Sequence, residues 1–376
     1  MRRTATHISC VFTCVILACI AHPGFALQAP DHGPLPSLFS SSRIHTKLDF
    51  CGEKVPLDSR DVRERLEKTL LLTLWDRPQV ILWIKRSRRY MPIIENLLSQ
   101  HGMPADLKYI TLIESALRPH AGSSEGAIGF WQFTKDTGRR YGLKITAEID
   151  ERRNVFASTA AAVQCLKALH TTFGSWTLAA AAFNMGAEGL KTEIIVQNTN
   201  DYYHLYLPLE TQFYLFRVLA AKLILTNPEK FAFHYGKKDL YPPMQYDRIS
   251  ITCPEKIPIR IVAEAARTHF KAIKDLNPEI RGYYLFPGDH TILIPKGTST
   301  GFASRFKKLS DTWSTSKDEH VYIVRKGDNL STIAKRFGVP LPALFLWNNL
   351  KLNEPIHPGD RLLIHENPRK GSVGRK

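Results

Sequence analysis

Cysteine is scarce in this sequence. Only six cysteines occur in 376 residues, and three of them lie among the first 19 residues. The other three, Cys51, Cys165 and Cys253, are too scattered to form a disulfide framework or a metal site. The sequence also has no pair of histidines at metal-ligand spacing and no Walker-type phosphate loop. We therefore expect neither a metal nor any other cofactor.

The sequence has little that could cross a membrane, apart from one stretch near its start. Two arginines there precede an apolar run from about Ile8 to Ile20, and small residues follow up to Ala26. This order is typical of a secretory signal peptide, and the run is shorter than the roughly 20 apolar residues of a membrane span. We predict cleavage after Ala26, so that residues 1–26 are a signal peptide and the mature protein is exported to the periplasm or cell envelope.

Two other fates of this segment stay open. The apolar run could be retained as a membrane anchor, or Cys19 could be acylated as in a lipoprotein, although Leu17 fits that cleavage signal poorly. Either alternative makes the exported protein membrane-associated.

Acidic residues are few relative to basic ones. The chain has 35 Asp and Glu against 51 Lys and Arg, a formal net charge of +16. Such an excess favours a polyanionic partner. Because an exported protein meets the cell wall and anionic lipid, we expect no nucleic-acid partner and peripheral contact with anionic envelope components. Residues 367–376 form a basic, solvated tail.

Strand patterns are absent from the middle of the chain. Residues 61–98 have apolar positions at helical spacing, which predicts two or three helices, and residues 104–233 continue helical with alanine-rich stretches. Small side chains let helices approach closely. This part of the chain is therefore predicted to be a compact all-α domain.

An internal repeat follows in the last third of the chain. Shifting the sequence by 71 residues superposes Asn277 on Asn348 and the Pro-Gly-Asp of residues 287–289 on that of residues 358–360. Each copy reads strand, helix, helix, strand, with the Pro-Gly-Asp turn before the last strand. We predict two modules, at 249–297 and 319–366, separated by a linker at 298–318 that is rich in Ser, Thr and Lys.

The candidate catalytic residue is a glutamate on an apolar helix face. A helix is predicted to begin near Pro104 and to end before Pro119. One of its faces has four residues at spacings of three, four and three: Leu107, Ile110, Glu114 and Leu117. Burial of Glu114 would raise its pKa and suit it to general acid catalysis. An ion pair with Arg118 or Arg153 is the alternative.

Three further motifs contain side chains that suit sugar recognition. They are the Gly-Phe-Trp-Gln of residues 129–132, the Phe-Asn-Met-Gly of residues 183–186, and Tyr214. Gln, Asn and Tyr can hydrogen-bond sugar hydroxyls and N-acetyl groups, and glycine lets a polymer lie close to the backbone. Each motif alone is a weak signal.

Taken in order after Glu114-Ser115, these motifs resemble the catalytic domain of the lytic murein transglycosylases, the Slt family of the goose-lysozyme-like superfamily. The layout is similar to the membrane-bound D type, in which lysin motifs follow the enzyme. The resemblance covers residues 95–235, after an N-terminal helical extension at 27–94, and departs only at Phe183, where tyrosine is usual.

The resemblance implies cleavage of the β-1,4 bond between N-acetylmuramic acid and N-acetylglucosamine, with formation of 1,6-anhydromuramic ends. Glu114 would act first as acid and then as base, while the substrate's acetamido group stabilises the intermediate. Ser115 and Gln132 would orient the site and substrate. Asn184 and Tyr214 would hold the sugar or Glu114.

A lysozyme-like muramidase is the main alternative, since most glycosidases use two carboxylates. Four residues could supply the second: Glu125, Asp150, Glu151 and Glu188. We predict that residues 150–153 form an exposed turn with local ion pairs, which leaves Glu125 as the partner to test. A noncatalytic peptidoglycan-binding protein is a third hypothesis.

The second repeat resembles a lysin motif, a module that binds N-acetylglucosamine-containing glycans in a shallow groove between two turns. The groove residues carried over are Gly327, Asp328, Asn329, Ile356 and Gly359. The first copy has Lys-Ile-Pro at 256–258 in place of the Gly-Asp-Asn turn, so we expect a degenerate, structural or weakly binding module. The predicted fold class is thus multidomain: an all-α lysozyme-like catalytic domain followed by two small α+β LysM-type modules that bind peptidoglycan glycan strands.

Overall fold

The structure is a computed structural model that describes residues 37–44, 47–316, 321–348, 350–351 and 355–364. The predicted signal peptide at 1–26 and the basic tail at 367–376 lie outside the described residues. In the described residues, every helix is too short or too polar to span a bilayer.

The described chain begins with short elements and continues as a helical domain. The short elements are α1 (Leu38–Ser42), β1 (Asp49–Phe50) and β2 (Glu53–Lys54). The helices of the domain are α2 (Arg60–Trp75), α3 (Arg77–Gln100), α4 (Ile110–Ser115), α5 (Lys135–Arg140), α6 (Val155–Phe173), α7 (Trp176–Met185), α8 (Ala187–Gln197) and α9 (Leu209–Thr226). Single 3-10 turns lie at Ala105–Tyr109, Glu151–Arg153, Pro228–Phe231 and Lys237–Asp239.

Two long helices fill the segment for which two or three were predicted. They meet at Asp76, whose side chain accepts a hydrogen bond from the Gln79 backbone N–H at 3.2 Å. Pro78 lies in the first turn of α3, where its missing N–H has no helical partner to lose. This capping explains why α2 ends and α3 begins within two residues.

The core of the helical domain lies between α2, α3, α6, α7 and α9. Leu66, Leu166 and Leu219 are fully buried there, and each such side chain contributes about 1.5 to 3 kcal/mol through removal from water. Ala179 and Ala180 of α7 have no exposed surface, so their small size lets α7 pack closely against its neighbours.

The short β1–β2 hairpin belongs to the scaffold of the helical domain. The carboxylate of Glu53 accepts hydrogen bonds from the Trp176 and Thr177 backbone N–H groups at the start of α7. A negative charge at a helix N-terminus stabilises the helix. The segment before the helices therefore fixes the start of α7, which ends at the Phe-Asn-Met-Gly motif.

The first module follows the helical domain, and we use this name for residues 246–316. Its elements are β3 (Tyr246–Cys253), β4 (Ile257–Pro258), α10 (Ile259–Ala265), α11 (Phe270–Leu276), β5 (Tyr284–Leu285), β6 (Gly288–Pro295) and α12 (Phe302–Ser316). Strands β3 and β6 are antiparallel, from Tyr246 opposite Pro295 to Cys253 opposite Gly288. The predicted order of strand, helix, helix and strand is present.

The predicted linker at 298–318 is largely a helix, so that prediction was wrong. Phe302, Phe306 and Trp313 of α12 are 2%, 8% and 5% exposed and belong to the core of the first module. Ser, Thr and Lys occupy the exposed face of α12, which gave the segment the composition of a linker. Residues 317–318 lie outside the described residues.

The second module, residues 321–364, has the same order of elements and its own small core. Its elements are β7 (Val321–Ile323), α13 (Leu330–Phe337), α14 (Leu341–Asn348) and β8 (Arg361–Leu363). Strands β7 and β8 are antiparallel, with Val321 opposite Leu363 and Ile323 opposite Arg361.

An asparagine side chain ties the second helix to the last strand in both modules. Asn277 donates to the carbonyl oxygens of Ile273 and Leu293 and accepts from the Leu293 N–H, at 2.7 to 2.8 Å. Asn348 makes the same three bonds, to the Leu344 and Leu363 carbonyls and from the Leu363 N–H. The asparagines are 71 residues apart, but Leu293 and Leu363 are 70 apart, so the alignment of the two copies shifts by one residue after Asp289, within β6.

The first module docks on the helical domain through backbone and side-chain bonds. The Asp150 N–H donates to the Glu279 carbonyl at 2.8 Å, and the Arg281 N–H donates to the Glu148 carbonyl at 2.6 Å. The Asn154 side chain donates to Glu279 Oε1 at 2.9 Å, while its own oxygen caps α6. The first module and the catalytic motifs are therefore linked through residues 148–154.

Candidate active site

The helix that carries Glu114 is shorter than predicted. A 3-10 turn at Ala105–Tyr109 leads into α4, which ends at Ser115 because Ala116 and Leu117 adopt left-handed φ values of 51° and 58°. Non-glycine residues in this region cost about 1 kcal/mol or more each. Leu117 is still fully buried, but it enters the core from the turn after the helix.

Glu114 lies in a cleft with a volume of about 560 Å³. Three of the other predicted site residues line the same cleft: Gln132, Asn184 and Tyr214. They come from the loop after α4, from the end of α7 and from α9, so the fold brings together residues separated by up to 100 positions.

The carboxyl group of Glu114 is held by Tyr214, whose hydroxyl donates to Oε1 at 2.6 Å. Burial raises the pKa of Glu114 to about 7 from its ordinary value of 4.5. The Tyr214 hydrogen bond and the charge of Arg217 act against this rise, and the charge of Glu210 adds to it. Desolvation outweighs the hydrogen bond, which leaves the carboxyl close to half-protonated at neutral pH.

The predicted ion pair of Glu114 with Arg118 or Arg153 is not formed. Arg118 donates to the carbonyl of Ser115 at 3.1 Å, and Arg153 lies against Asp150 and His120. Arg217 lines the same cleft, and it is the cation whose charge acts on the pKa of Glu114.

Ser115 does not reach the cleft, so its predicted contact with substrate was wrong. It is 2% exposed, and its Oγ lies 2.9 Å from the Thr111 carbonyl and 2.8 Å from the Phe130 carbonyl. A residue directly after Glu114 on a helix points about 100° away from it. Ser115 instead ties α4 to the loop that carries Gln132.

That loop depends on a close backbone approach at Gly129. Gly129 has φ +85°, and a Cβ there would lie 1.8 Å from the carbonyl oxygen of Arg152. Gln132, itself at φ 49°, donates through Nε2 to the Gly129 carbonyl at 2.8 Å and to the Ala121 carbonyl at 3.2 Å. The first and last residues of this motif therefore shape the cleft wall. Trp131 between them is fully buried and donates to Thr159.

The predicted exposed turn at residues 150–153 is buried, which corrects that interpretation. Asp150 and Arg152 are 1% and 5% exposed and form a two-bond ion pair at 2.8 and 2.9 Å. Arg152 also donates to the Gly126 and Phe133 carbonyls. The ion pairs were predicted correctly, but these charges hold the catalytic loop from behind and do not face the cleft.

Asn184 is oriented by the first turn of α9. Its Oδ1 accepts from the Thr211 hydroxyl at 2.7 Å, and its amide nitrogen lies 3.4 Å from Glu210 Oε1. Phe183 contributes its ring to the cleft wall, in edge contact with Phe133 at 5.8 Å.

Three charged residues of the cleft escaped prediction: Arg140, Glu210 and Arg217. Glu210 and Arg217 line the cleft with Tyr214, at spacings of four and three on α9. Such spacings place side chains on one helix face, so the pattern around Tyr214 could have identified both.

In the second module, the predicted groove residues lie at two adjacent turns. Gly327 and Gly359 have φ +88° and +98°, and the Gly359 N–H donates to the Val324 carbonyl at 2.8 Å, which joins the turns. Asp328 accepts from the Tyr322 hydroxyl and the Arg325 N–H, and these bonds lower its pKa. Asn329 caps α13. Both side chains serve the fold of the turn and leave its backbone facing outward.

Similar proteins were found for both parts of the chain. Residues 91–205 match the Transglycosylase SLT domain family, and residues 322–365 match the LysM domain family. The chain is 32% identical over 293 residues to the membrane-bound lytic murein transglycosylase D of Escherichia coli strain K12, which covers 74% of this chain and 64% of that relative. It therefore spans less than two thirds of that curated relative.

The chain also has a shorter sequence match and a weaker structural match. The chain is 36% identical over 64 residues to the N-acetylmuramoyl-L-alanine amidase XlyA of Bacillus subtilis strain 168, covering 15% of this chain and 22% of the relative. A solved structure, the 70 kDa soluble lytic transglycosylase of Escherichia coli, is 18% identical with a TM-score of 0.34 over 48% of this chain and 30% of that one. The family matches and the relative confirm the resemblance predicted from the motifs: the chain carries an SLT-type transglycosylase domain followed by a LysM domain.

Proposed function

We propose that this protein is a peptidoglycan lytic transglycosylase that cleaves the β-1,4 bond between N-acetylmuramic acid and N-acetylglucosamine and leaves 1,6-anhydromuramic ends. The observation that carries the proposal is Glu114, a largely buried carboxyl in a polar cleft, with a pKa raised to about 7 and a hydroxyl donor at 2.6 Å. The SLT domain and the relative named above support the same reaction.

A single carboxyl with this pKa can serve both halves of the reaction. Protonated Glu114 donates its proton to the glycosidic oxygen as the bond from the muramoyl C1 breaks. The resulting carboxylate, stabilised by the Tyr214 hydroxyl, takes the proton of the muramoyl C6 hydroxyl as that oxygen bonds to C1. A pKa near the working pH keeps both forms accessible. The acid form is restored, so no proton is consumed.

The other carboxylates of the cleft are poorly suited to act as the second catalytic carboxylate that a hydrolase needs. Among the described residues that line the cleft, Glu125 and Glu210 are the remaining carboxylates, and both are exposed. Hydrogen bonds from neighbouring serines lower the pKa of Glu125, so it is ionised on the rim. Glu210 is directed at Asn184.

We assign Gln132 and Asn184 to the sugar and Tyr214 to Glu114. Gln132 and Asn184 line the cleft and have their orientations fixed by bonds to Gly129 and Thr211. Tyr214 is 2% exposed and directed at Glu114, so its role is to position the carboxyl.

We further propose that the exported chain acts in the periplasm or cell envelope and that the second module holds it on glycan strands. Gly327 and Gly359 at the two turns of this module are exposed, as a shallow sugar groove requires. The first module is proposed to be a degenerate lysin-motif-like copy with a structural role, because its surfaces are covered by α12 and by residues 148–154.

Mass spectrometry of digested sacculi tests the reaction. Wild-type protein should release anhydro-ended muropeptides, one water lighter than the reducing-end products of a muramidase. Glu114→Gln should lower the rate about 100- to 10,000-fold, the usual contribution of a general acid and base, whereas Glu125→Gln should retain activity. Reducing ends as the main product, or anhydro products from Glu114→Gln at the wild-type rate, would contradict the proposal.

A further inference from the structure

A second pocket adjoins the catalytic cleft. It lies between α2, α3 and α9, has a volume of about 370 Å³, and we call it the side pocket. The residues that matter for its chemistry are Lys68, Leu72, Val80, Trp83, Phe213 and Arg217. Its wall is mainly apolar, formed by Leu72, Val80, Trp83 and Phe213.

The side pocket and the cleft of Glu114 share a lining residue on α9. Arg217 lines both the cleft and the side pocket. Phe213 lines the side pocket, while Tyr214, the next residue, donates to Glu114. Arg217 is therefore the point at which a group attached to a sugar beside Glu114 would meet the side pocket.

The polar groups of the side pocket favour an anionic ligand that can accept hydrogen bonds. Lys68 lies at its edge, with Nζ 5.0 Å from the centroid of the Phe213 ring. In the described residues, Arg217 Nε and Trp83 Nε1 are buried donors without a hydrogen-bond partner, and an unmet buried donor costs about 1 to 3 kcal/mol. The carboxylate of Asp76, the acidic residue of the lining, is occupied by the N-cap of α3.

Carboxylates and carbonyl oxygens combined with small apolar side chains describe an acidic peptide. Peptidoglycan carries such a peptide on the lactyl group of each muramic acid, the sugar whose C1 reacts in the proposed mechanism. We propose that the side pocket binds this acidic stem peptide and makes the enzyme prefer glycan strands that carry peptides. This inference rests on the proposed function of the cleft.

The test compares two soluble substrates: peptide-bearing glycan strands, and the same strands after an amidase has removed the peptides. Lys68→Ala and Leu72→Ser change one helix face at a spacing of four, and both side chains are exposed, so the fold is not at risk. The measured quantity is the ratio of the rate on peptide-bearing strands to the rate on peptide-free strands. Each variant should lower this ratio about fivefold, which corresponds to a contact worth about 1 kcal/mol.

The control is Lys167→Ala, an exposed lysine of α6 outside both pockets, which should leave the ratio unchanged. A wild-type ratio near one, or side-pocket variants with the wild-type ratio, would overturn the inference while anhydro products still support the proposed reaction. Absence of anhydro products from both substrates would overturn the proposed function itself. Thermal melting of each variant, expected to match the wild type, separates a loss of binding from a loss of fold.

Discussion

The first and second modules have the same order of strands and helices but differ in what packs against them. In the second, Gly327 is exposed, and Val324, just before its turn, exchanges backbone hydrogen bonds with Gly359 and Asp360 of the other turn. In the first, Ile257 and Pro258 of the equivalent residues 256–258 form β4. The end of α12 covers this segment, since Trp313 Nε1 lies 3.4 Å from the Lys256 carbonyl. The turn of the second module is open to solvent, and the equivalent segment of the first module is covered.

This difference shows how a repeat can change its role without losing its fold. The asparagine tie between helix and last strand occurs in both modules, because it satisfies buried backbone groups wherever the module stands. The turn at residues 327–329 does not satisfy buried backbone groups of the core in this way. Its counterpart could therefore be replaced by apolar residues once another helix covered it.

The largest effect is expected from Trp313→Ala. This side chain is 5% exposed and is stacked beneath the guanidinium of Arg260, 5.2 Å from the ring. Its removal should destabilise the first module by about 4 kcal/mol, as for other buried aromatic residues. Thr312→Ala, at an exposed neighbouring position, is the control. Urea denaturation would contradict a structural role for α12 if the two variants had equal midpoints.

The paired variants Asn277→Ala and Asn348→Ala compare the same tie in two settings. Asn277 has no exposed surface, and its loss leaves buried backbone groups unpaired, at about 3 kcal/mol. Asn348 is only partly buried, so water can replace its bonds and about 1 kcal/mol should be lost. Hydrogen exchange of Leu293 and Leu363 amides measures each module separately. If both variants lost the same stability, burial of Asn277 in the docked first module would add nothing to the strength of its bonds.

Docking of the first module should respond to pH through Glu279. Burial raises the pKa of Glu279 to about 7 from 4.5, with Glu151 adding to the rise and Asn154 and Lys274 opposing it. The folded state therefore holds a proton between about pH 4.5 and 7 that the unfolded state has released, so stability falls as pH rises through this window. Glu279→Gln should remove the part of that fall that Glu279 causes and gain about 2 kcal/mol above pH 7, while the part caused by Glu114 remains. Melting curves of the wild type and of Glu279→Gln at pH 5 and 8 test this prediction. If the stability of both proteins changes equally with pH, Glu279 is not the group responsible.

The smallest effect concerns glycan retention by the second module. Ile356→Ser, three residues before Gly359, should lower the fraction of protein bound to sacculi about fivefold, the effect of about 1 kcal/mol of lost contact. Because Ile356 also packs partly against the core of the second module, a melting curve of the variant separates lost contact from lost packing. The binding measurement uses full-length Glu114→Gln protein, so that the sacculi stay intact. Leu346→Ser, on the exposed side of α14, is the control. Equal retention of both variants would assign binding to the cleft or the basic charge.

Some features of the site around Glu114 could not be predicted from the sequence, because they depend on burial. The spacing of Leu107, Ile110 and Glu114 predicts a carboxyl on an apolar face, and the pKa near 7 agrees with that expectation. The direction of the Ser115 side chain could not be predicted. The helix ends at two residues with left-handed φ values, and no local sequence pattern indicates them. Asp150 and Arg152 were predicted to be exposed because charged residues usually are. Their ion pair and the bonds of Arg152 to two backbone carbonyls offset the cost of burying them.

The sequence by itself determined the order of the motifs, the helical character of the middle of the chain and the repeat with its two asparagines, because these depend on local spacing and turn chemistry. The tertiary structure decided which cation acts on the pKa of Glu114, which residues form the side pocket and where the first module docks. Arg217, Phe213 and Lys68 are separated by up to 149 positions (217 minus 68), and only the packing of α2 against α9 brings them together. Local preferences act within one helix turn or one hairpin, whereas desolvation depends on every element that packs around a group.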